Sequence, residues 1–452
     1  MVQLRNRVVI AGTHSGVGKT TIATGVMAAL RQRGMSVASA KVGPDYIDPS
    51  YHHVATGKPG RNLDAWMSGA DSIGPLAARA ADGADILVIE GVMGLFDGAV
   101  DGTPSSSSDI AELLAAPVVL VVDGSAMSSS VAALVQGFRD YRDATNVAGV
   151  ILNRVNSEAH KELLTEALAA ISVPVFGCIP SQEELAWRDR HLGLVPVAEE
   201  PVQVRQSVEQ LAAVVSQHCD LEALVAVAAQ ASEAHHRSVH LGSRESISAP
   251  PRVAVAAGRA FTFVYDDNME VLRAVGAELL PFDPLVDEQL PANIDGLLVG
   301  GGFPEVFSRD LSANHRLRAD VNAQISAGLV TWVECGGLLW LCDSVDDQPM
   351  VGAIPSKGTM GERVRLGYRH ARHLIDNPVG RAGTIVRGHE FHYSTIEPAG
   401  EALELSSRFV SRRDGYASPT VLATYLHQHM GDHPQPMINF VETCAASTVG
   451  KT

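Results

Sequence analysis

Along the first half of the chain, short wholly apolar runs alternate with longer stretches of helical period. The runs are VVIAG (8–12), SVASAKV (36–42), DILVIEGV (85–92), VVLVVDG (118–124), GVILNRV (149–155) and VPVFGCI (173–179). They lack the in–out alternation of a half-exposed sheet, so they predict parallel strands covered on both faces. Between the first two, TTIATGVMAALRQRG (20–34) has helical spacing and closes on Gly34, a natural helix C-cap. The series predicts a doubly wound α/β domain over residues 1–218. Residues 219–250 then break the pattern. A short helical stretch passes into HHRSVHLGSRESISAPPR, which is polar and ends in Pro250-Pro251, so the segment reads as a linker. From residue 251 a second α/β series begins: RVAVAAG (252–258), AELLPF (277–282), DGLLVGGG (295–302) and LVTWVECGG (329–337). The late runs TIVRGHEFHYS (384–394) and TVLATYLH (420–427) suggest antiparallel strands towards the end. The expected architecture is therefore two doubly wound α/β domains, 1–218 and 251–452.

Composition narrows the function. With 452 residues the chain is long enough for two or three cores. A formal net charge of −16 opposes non-specific binding to nucleic acid or an anionic membrane. No apolar run approaches the ~18 residues of a membrane span, and the N-terminus lacks a signal-peptide pattern. Five scattered cysteines without a CxxC pair fit a reduced, cytoplasmic protein.

Two regions carry candidate chemistry. In VVIAGTHSGVGKTT a strand, a glycine-bearing loop, a lysine and a threonine precede a helix. Backbone N–H groups of Gly16, Val17 and Gly18 can surround a phosphate, with Thr13 at the loop start and Thr21 in the first turn of the helix. Lys19 adds a point charge, and the Thr20 hydroxyl can hold Mg²⁺. The strict phosphate-loop pattern wants glycine at position 13; here the glycine is Gly12. Glu90, closing a buried strand, can face the same ion across from Thr20. Lys41, Asp45, Tyr46 and Asp48 crowd the end of another strand, where ligands of doubly wound sheets gather; Asp45 and Asp48 can serve a metal or position a substrate, or cap an Asp-Pro turn.

The second region is TWVECGGLLWL. Cys335 stands at a strand-to-helix corner, where a nucleophile is lifted above the sheet and the following N–H, that of Gly336, can donate to an oxyanion. A helix N-terminus there would also lower the thiol pKa. LLVGGGFPE supplies Gly302 as a second donor, and ATYLHQHM supplies His427 as a base at a strand end. GHEFHYS has the wrong spacing for a zinc protease helix.

In order along the chain, GTHSGVGKTT, KVGPDYIDPSYH, GRNLDAWM, EGVMGLFDG, RHLGLVP, GGGFPEVF, ECGGLLWL, RGHEFHYS and YLHQH resemble the cobyrinic acid a,c-diamide synthase family, which includes the hydrogenobyrinic acid enzymes of cobalamin biosynthesis. The resemblance implies a dethiobiotin-synthetase-like ATPase domain joined to a class I-type glutamine amidotransferase domain. Glutamine would acylate Cys335 with help from His427 and release ammonia. ATP with Mg²⁺ would turn a substrate carboxylate into an acyl phosphate, which ammonia converts to an amide, twice per corrin ring. Thr20, Asp48 and Glu90 are the expected metal ligands, and the resemblance further implies that Asn153 contacts adenine. Residues 41–51 and 61–66, with Lys41, Asp45, Tyr46, Arg61, Asp64, Arg188, Arg190 and His191, would border hydrogenobyrinic or cobyrinic acid. A homodimer is compatible with it. One departure stands out: many class I amidotransferases carry Glu two residues after the catalytic His, and here that residue is His429.

Two alternatives remain at this point. A related tetrapyrrole could be the substrate, as in cobyric acid synthases or a nickel-sirohydrochlorin amidase. A P-loop switch protein would leave Cys335 without a purpose.

Overall fold

The computed structural model describes residues 1–181, 189–190, 193–242, 249–409 and 411–449. The chain forms two compact units, Met1–Val239 and His240–Thr452.

The first unit is built on a seven-stranded parallel sheet. Its order is Arg61–Leu63, Val37–Val42, Ile86–Glu90, Arg7–Gly12, Val118–Asp123, Val147–Val155, Val175–Pro180. The central strands are buried throughout, as their uninterrupted apolar runs require. The first strand sits at the centre, and the strand order reverses on either side of it. A ligand-binding crevice is expected at the carboxyl end of such a switch point.

The expected linker is corrected here. Residues 221–236 return to the first unit, as the helix Leu221–Ala228 and the strand Ala234–His236, which pairs antiparallel with Val2–Leu4. Arg7 explains part of this return. Its fully buried guanidinium donates to the carbonyls of Leu114 (2.6 Å) and Ser232 (2.8 Å), and a charge taken out of water must be saturated in this way. On the far side, the His240 N–H bonds Asp432, so the second unit begins before residue 251.

Among the described residues the second unit has two sheets. The first runs Glu278–Phe282, Arg252–Ala256, Gly296–Val299, Val330–Glu334, Val421–Thr424, Tyr416–Ser418, parallel except for the last strand. Trp332 and Phe440 pack edge to face beneath it, anchoring the helix Gln435–Val449. The second sheet is dominated by the antiparallel pair Ile354–His373 and Ile385–Glu397, as predicted for the run 384–394; the run 420–427 instead supplies Val421–Thr424, which lies parallel to Val330–Glu334 in the first sheet.

Candidate active site

The loop after Arg7–Gly12 has the geometry of a phosphate cradle. Gly16 (φ 80°) and Gly18 (φ 97°) take left-handed conformations, and the helix Lys19–Gln32 starts directly after them. The displaced glycine now has a reason: a Cβ on Gly12 would lie 2.5 Å from Val17 Cγ1 and 2.8 Å from Lys19 Cγ, because both side chains fold back over it. Lys19 Nζ donates to the His14 carbonyl at 3.1 Å. Burial first, and then the nearby Lys41 charge, lower its pKa to about 8.

Asn153, the expected adenine contact, packs against the loop. Its Nδ2 donates to the Val17 carbonyl at 2.9 Å, and Gly18 must lack a Cβ to admit it. Its neighbour Arg154 was missed in the sequence. At φ 56° it donates to the Gly16 carbonyl (2.8 Å) and pairs with Asp123 (2.5 Å), bracing the cradle from outside. Thr13 Oγ1 meets His14 Nδ1 at 2.9 Å, and Thr21 follows Thr20 in the first turn of the helix.

Beneath the loop lies a buried carboxylate cluster. Thr20 Oγ1 donates to Glu90 Oε1 (2.5 Å) and is 3.3 Å from Asp48 Oδ2. Lys41 Nζ sits 2.7 Å from Asp48 and 2.8 Å from Glu90, and His52 Nε2 is 2.6 Å from the other Glu90 oxygen. Lys41 is therefore a member of this cluster, buried at 4% exposure, rather than an open substrate contact. Burial works against the Glu90 charge, but Lys41 and His52 outweigh it and hold the carboxyl below its usual range. Asp48 goes the other way: burial, then the neighbouring Asp45, push it up to about 8. Together with the Thr20 hydroxyl and Glu90 it forms a set of hard oxygen donors that suits a divalent ion.

The other expected substrate residues are dispersed in role. Asp45 Oδ1 accepts from the Ile47 and Asp48 N–H groups (2.7 and 2.9 Å), so it caps the helix Ile47–Thr56. Asp64 likewise caps Ala65–Ser68 through the Met67 N–H. Tyr46 is half-buried at the start of the Asp45-capped helix, and Arg61 opens an edge strand. The backbone of Arg190 belongs to the short strand Asp189–Arg190; its side chain, Arg188 and His191 lie outside the described residues.

In the second unit, three neighbouring parallel strands deliver their C-terminal ends to one place. Gly296–Val299 leads into Gly300–Gly302, Val330–Glu334 into Cys335, and Val421–Thr424 into His427. Cys335 has φ 47° and ψ −99°, a left-handed backbone in a non-glycine residue, which costs roughly 1–3 kcal/mol. The corner is held by its N–H bond to the Thr424 carbonyl (2.8 Å) and by Gly337 N–H to Gly300 O (3.1 Å). The Gly302 nitrogen lies 3.0 Å from the place a Cβ on Gly336 would take, so the two backbones meet beside Cys335. A Cβ on Gly302 itself would strike the Ala260 carbonyl at 2.2 Å.

The expected lowering of the thiol pKa is corrected. The thiol is 4% exposed, and burial, with Glu305 adding to it, pushes its pKa far up; the short helix behind it does not offset that. The resting group is a protonated thiol that needs a base. The expected base, His427, lies on the segment after the neighbouring strand Val421–Thr424. Its Nδ1 faces Glu334 Oε2 at 3.3 Å, its ring stacks on His389 at 5.0 Å, and its backbone bridges that of His389 in both directions. Tyr265 Oη meets His389 Nε2 at 3.0 Å, while burial and the neighbouring His427 keep His389 neutral. His429, at the position where many class I amidotransferases carry Glu, pairs with Asp267 at 3.1 Å.

The glycine run is sterically tied to this histidine. A Cβ on Gly301 would lie 2.6 Å from His427 Cε1. Gly301→Ala is therefore expected to displace the ring and lower glutamine-dependent turnover about 10²-fold, measured as glutamate release.

Fold and sites together define a bifunctional class: a P-loop nucleotide-binding unit and a cysteine amidotransferase unit in one chain. Residues 8–194 match the CobQ/CobB/MinD/ParA nucleotide binding domain, and residues 252–435 match the CobB/CobQ-like glutamine amidotransferase domain. Hydrogenobyrinate a,c-diamide synthase of Streptomyces coelicolor is 45% identical, over 98% of this chain and 98% of that protein. The Mycobacterium tuberculosis protein of that name is 44% identical over the same shares. Cobyrinate a,c-diamide synthase of a Synechococcus strain is 41% identical, over 97% and 98%. The chain belongs to the family of hydrogenobyrinate and cobyrinate a,c-diamide synthases. Among the described residues no helix is long and apolar enough to cross a membrane.

Proposed function

We propose that the protein makes the a,c-diamide of hydrogenobyrinic acid, using glutamine as nitrogen donor and ATP as activator, in the cytoplasm. The observation that carries the reading is the pairing, in one chain, of a strained Cys335 corner beside His427 with a phosphate cradle above a carboxylate cluster.

In the second unit, His427 takes the Cys335 thiol proton as Sγ attacks the side-chain amide carbon of glutamine. The developing oxyanion is received by the N–H groups of Gly336 and Gly302. The C–N bond breaks, His427 returns the proton to the leaving nitrogen, and ammonia departs. Water then opens the thioester, releasing glutamate and restoring the thiol. In the first unit, a substrate carboxylate oxygen attacks the γ-phosphorus of ATP and ADP leaves, with Lys19 and the loop N–H groups balancing charge. Ammonia attacks the resulting acyl phosphate and phosphate departs, giving the amide. Mg²⁺ would be held by Thr20, Asp48 and Glu90, where it would neutralise phosphate charge.

The choice of the metal-free ring rests on the relatives, whose hydrogenobyrinate members are 43–45% identical and cobyrinate members 39–41%. Purified protein is expected to show a higher kcat/KM for hydrogenobyrinic than for cobyrinic acid. Equal or reversed values would assign it the cobalt-bearing ring.

A further inference from the structure

The amidotransferase unit has His429 where many class I amidotransferases carry a glutamate two residues after the histidine. We infer that Glu334, the residue immediately before the nucleophile, takes over that work: its carboxylate accepts from His427 Nδ1–H and fixes the ring with Nε2 as base. The inference rests on the amidotransferase reading above and deepens it.

The geometry carries it in three ways. First, both groups are enclosed. Glu334 is 8% exposed and His427 is fully buried, at 3.3 Å from each other. A carboxylate withdrawn from water is costly unless it meets donors, and the donors it meets are His427 and the Gln428 backbone, both on the segment after Val421–Thr424. Second, no arginine or lysine pairs with Glu334 among the described residues, so its burial does not serve an ordinary ion pair. Three other carboxylates of this unit are otherwise engaged: Asp267 bonds His429, Asp414 bonds Thr424 Oγ1 and Arg412, and Glu390 bonds Arg369. Third, the backbone makes the arrangement possible. Successive strand residues point to opposite faces, so Glu334 and Cys335 would not normally serve one partner. The left-handed turn at Cys335 breaks that alternation at the one place where it matters.

Such a carboxylate does not touch glutamine. It selects the tautomer and stabilises the imidazolium formed while the thiol proton is in transit. Its removal should therefore lower kcat and spare binding. In Glu334→Gln, the new amide can donate to Nδ1 and favour the wrong tautomer.

The test is glutaminase kinetics on full-length wild type, Glu334→Gln, Glu334→Asp and Cys335→Ala, with thermal melting as a check on folding. Glu334→Gln is expected to lose about 10²–10⁴-fold in kcat with KM for glutamine nearly unchanged. Glu334→Asp is expected to recover a substantial part of kcat. A folded Glu334→Gln protein with wild-type kcat, or a loss confined to KM, overturns the inference. So does Glu334→Asp being as inactive as Glu334→Gln while both melt like the wild type. Glutaminase activity that survives Cys335→Ala defeats the amidotransferase reading itself, which separates the two failures.

Discussion

Cys335→Ala is expected to abolish the use of glutamine while leaving the use of ammonia intact. The thiol supplies the only bond through which glutamine nitrogen is released in this scheme, and removing a covalent nucleophile costs about 10⁴-fold or more in turnover. The cradle and the carboxylate cluster belong to the first unit, 1–239, and contain none of the thiol's partners. Amidation driven by high concentrations of ammonium salt should therefore proceed as in the wild type. Parallel assays with glutamine and with ammonium chloride check this. Loss of both would mean that Cys335 supports the fold or the synthetase chemistry.

The second large effect lies at the other end of the chain. Lys19→Met removes the cation that the cradle directs at phosphate and leaves a side chain of similar length. Charge stabilisation in a water-excluded site is worth roughly 10²–10³-fold per donor, so amidation should fall at least that far with either nitrogen source. Glutaminase activity measured alone should persist, because Lys19 and its described partners all belong to the first unit. The two variants thus predict opposite patterns, one losing the donor half-reaction and one losing the acceptor half-reaction. A Lys19→Met protein that still amidates with ammonia would remove the phosphate cradle from the account.

The sequence made much of this readable, for physical reasons. Parallel strands covered on both faces leave uninterrupted apolar runs, so their C-terminal ends could be placed, and with them Gly302, Cys335 and His427. The phosphate loop was legible because left-handed turns need Gly16 and Gly18. What stayed hidden depends on backbone detail or burial. Glu334 sits beside the nucleophile in sequence, where strand alternation argues against a shared partner, and only the φ of 47° at Cys335 undoes that argument. Lys41 looked like a free cation for an anionic substrate, yet two buried carboxylates claim it. The thiol looked activated by a helix, but burial dominates. The strand Ala234–His236 is three residues long and polar, too short to leave a pattern, so its return to the first unit appeared as a linker.

The central claim is that nitrogen passes from glutamine at Cys335 to two carboxylates of one corrinoid. Glutamine carrying heavy nitrogen in its side-chain amide, ATP and hydrogenobyrinic acid are incubated with the protein, and the product is weighed by mass spectrometry. The account predicts a corrinoid with two heavy amide nitrogens, formed only with ATP and absent with Cys335→Ala. A product without label, or one whose label appears in the Cys335→Ala reaction, would contradict it.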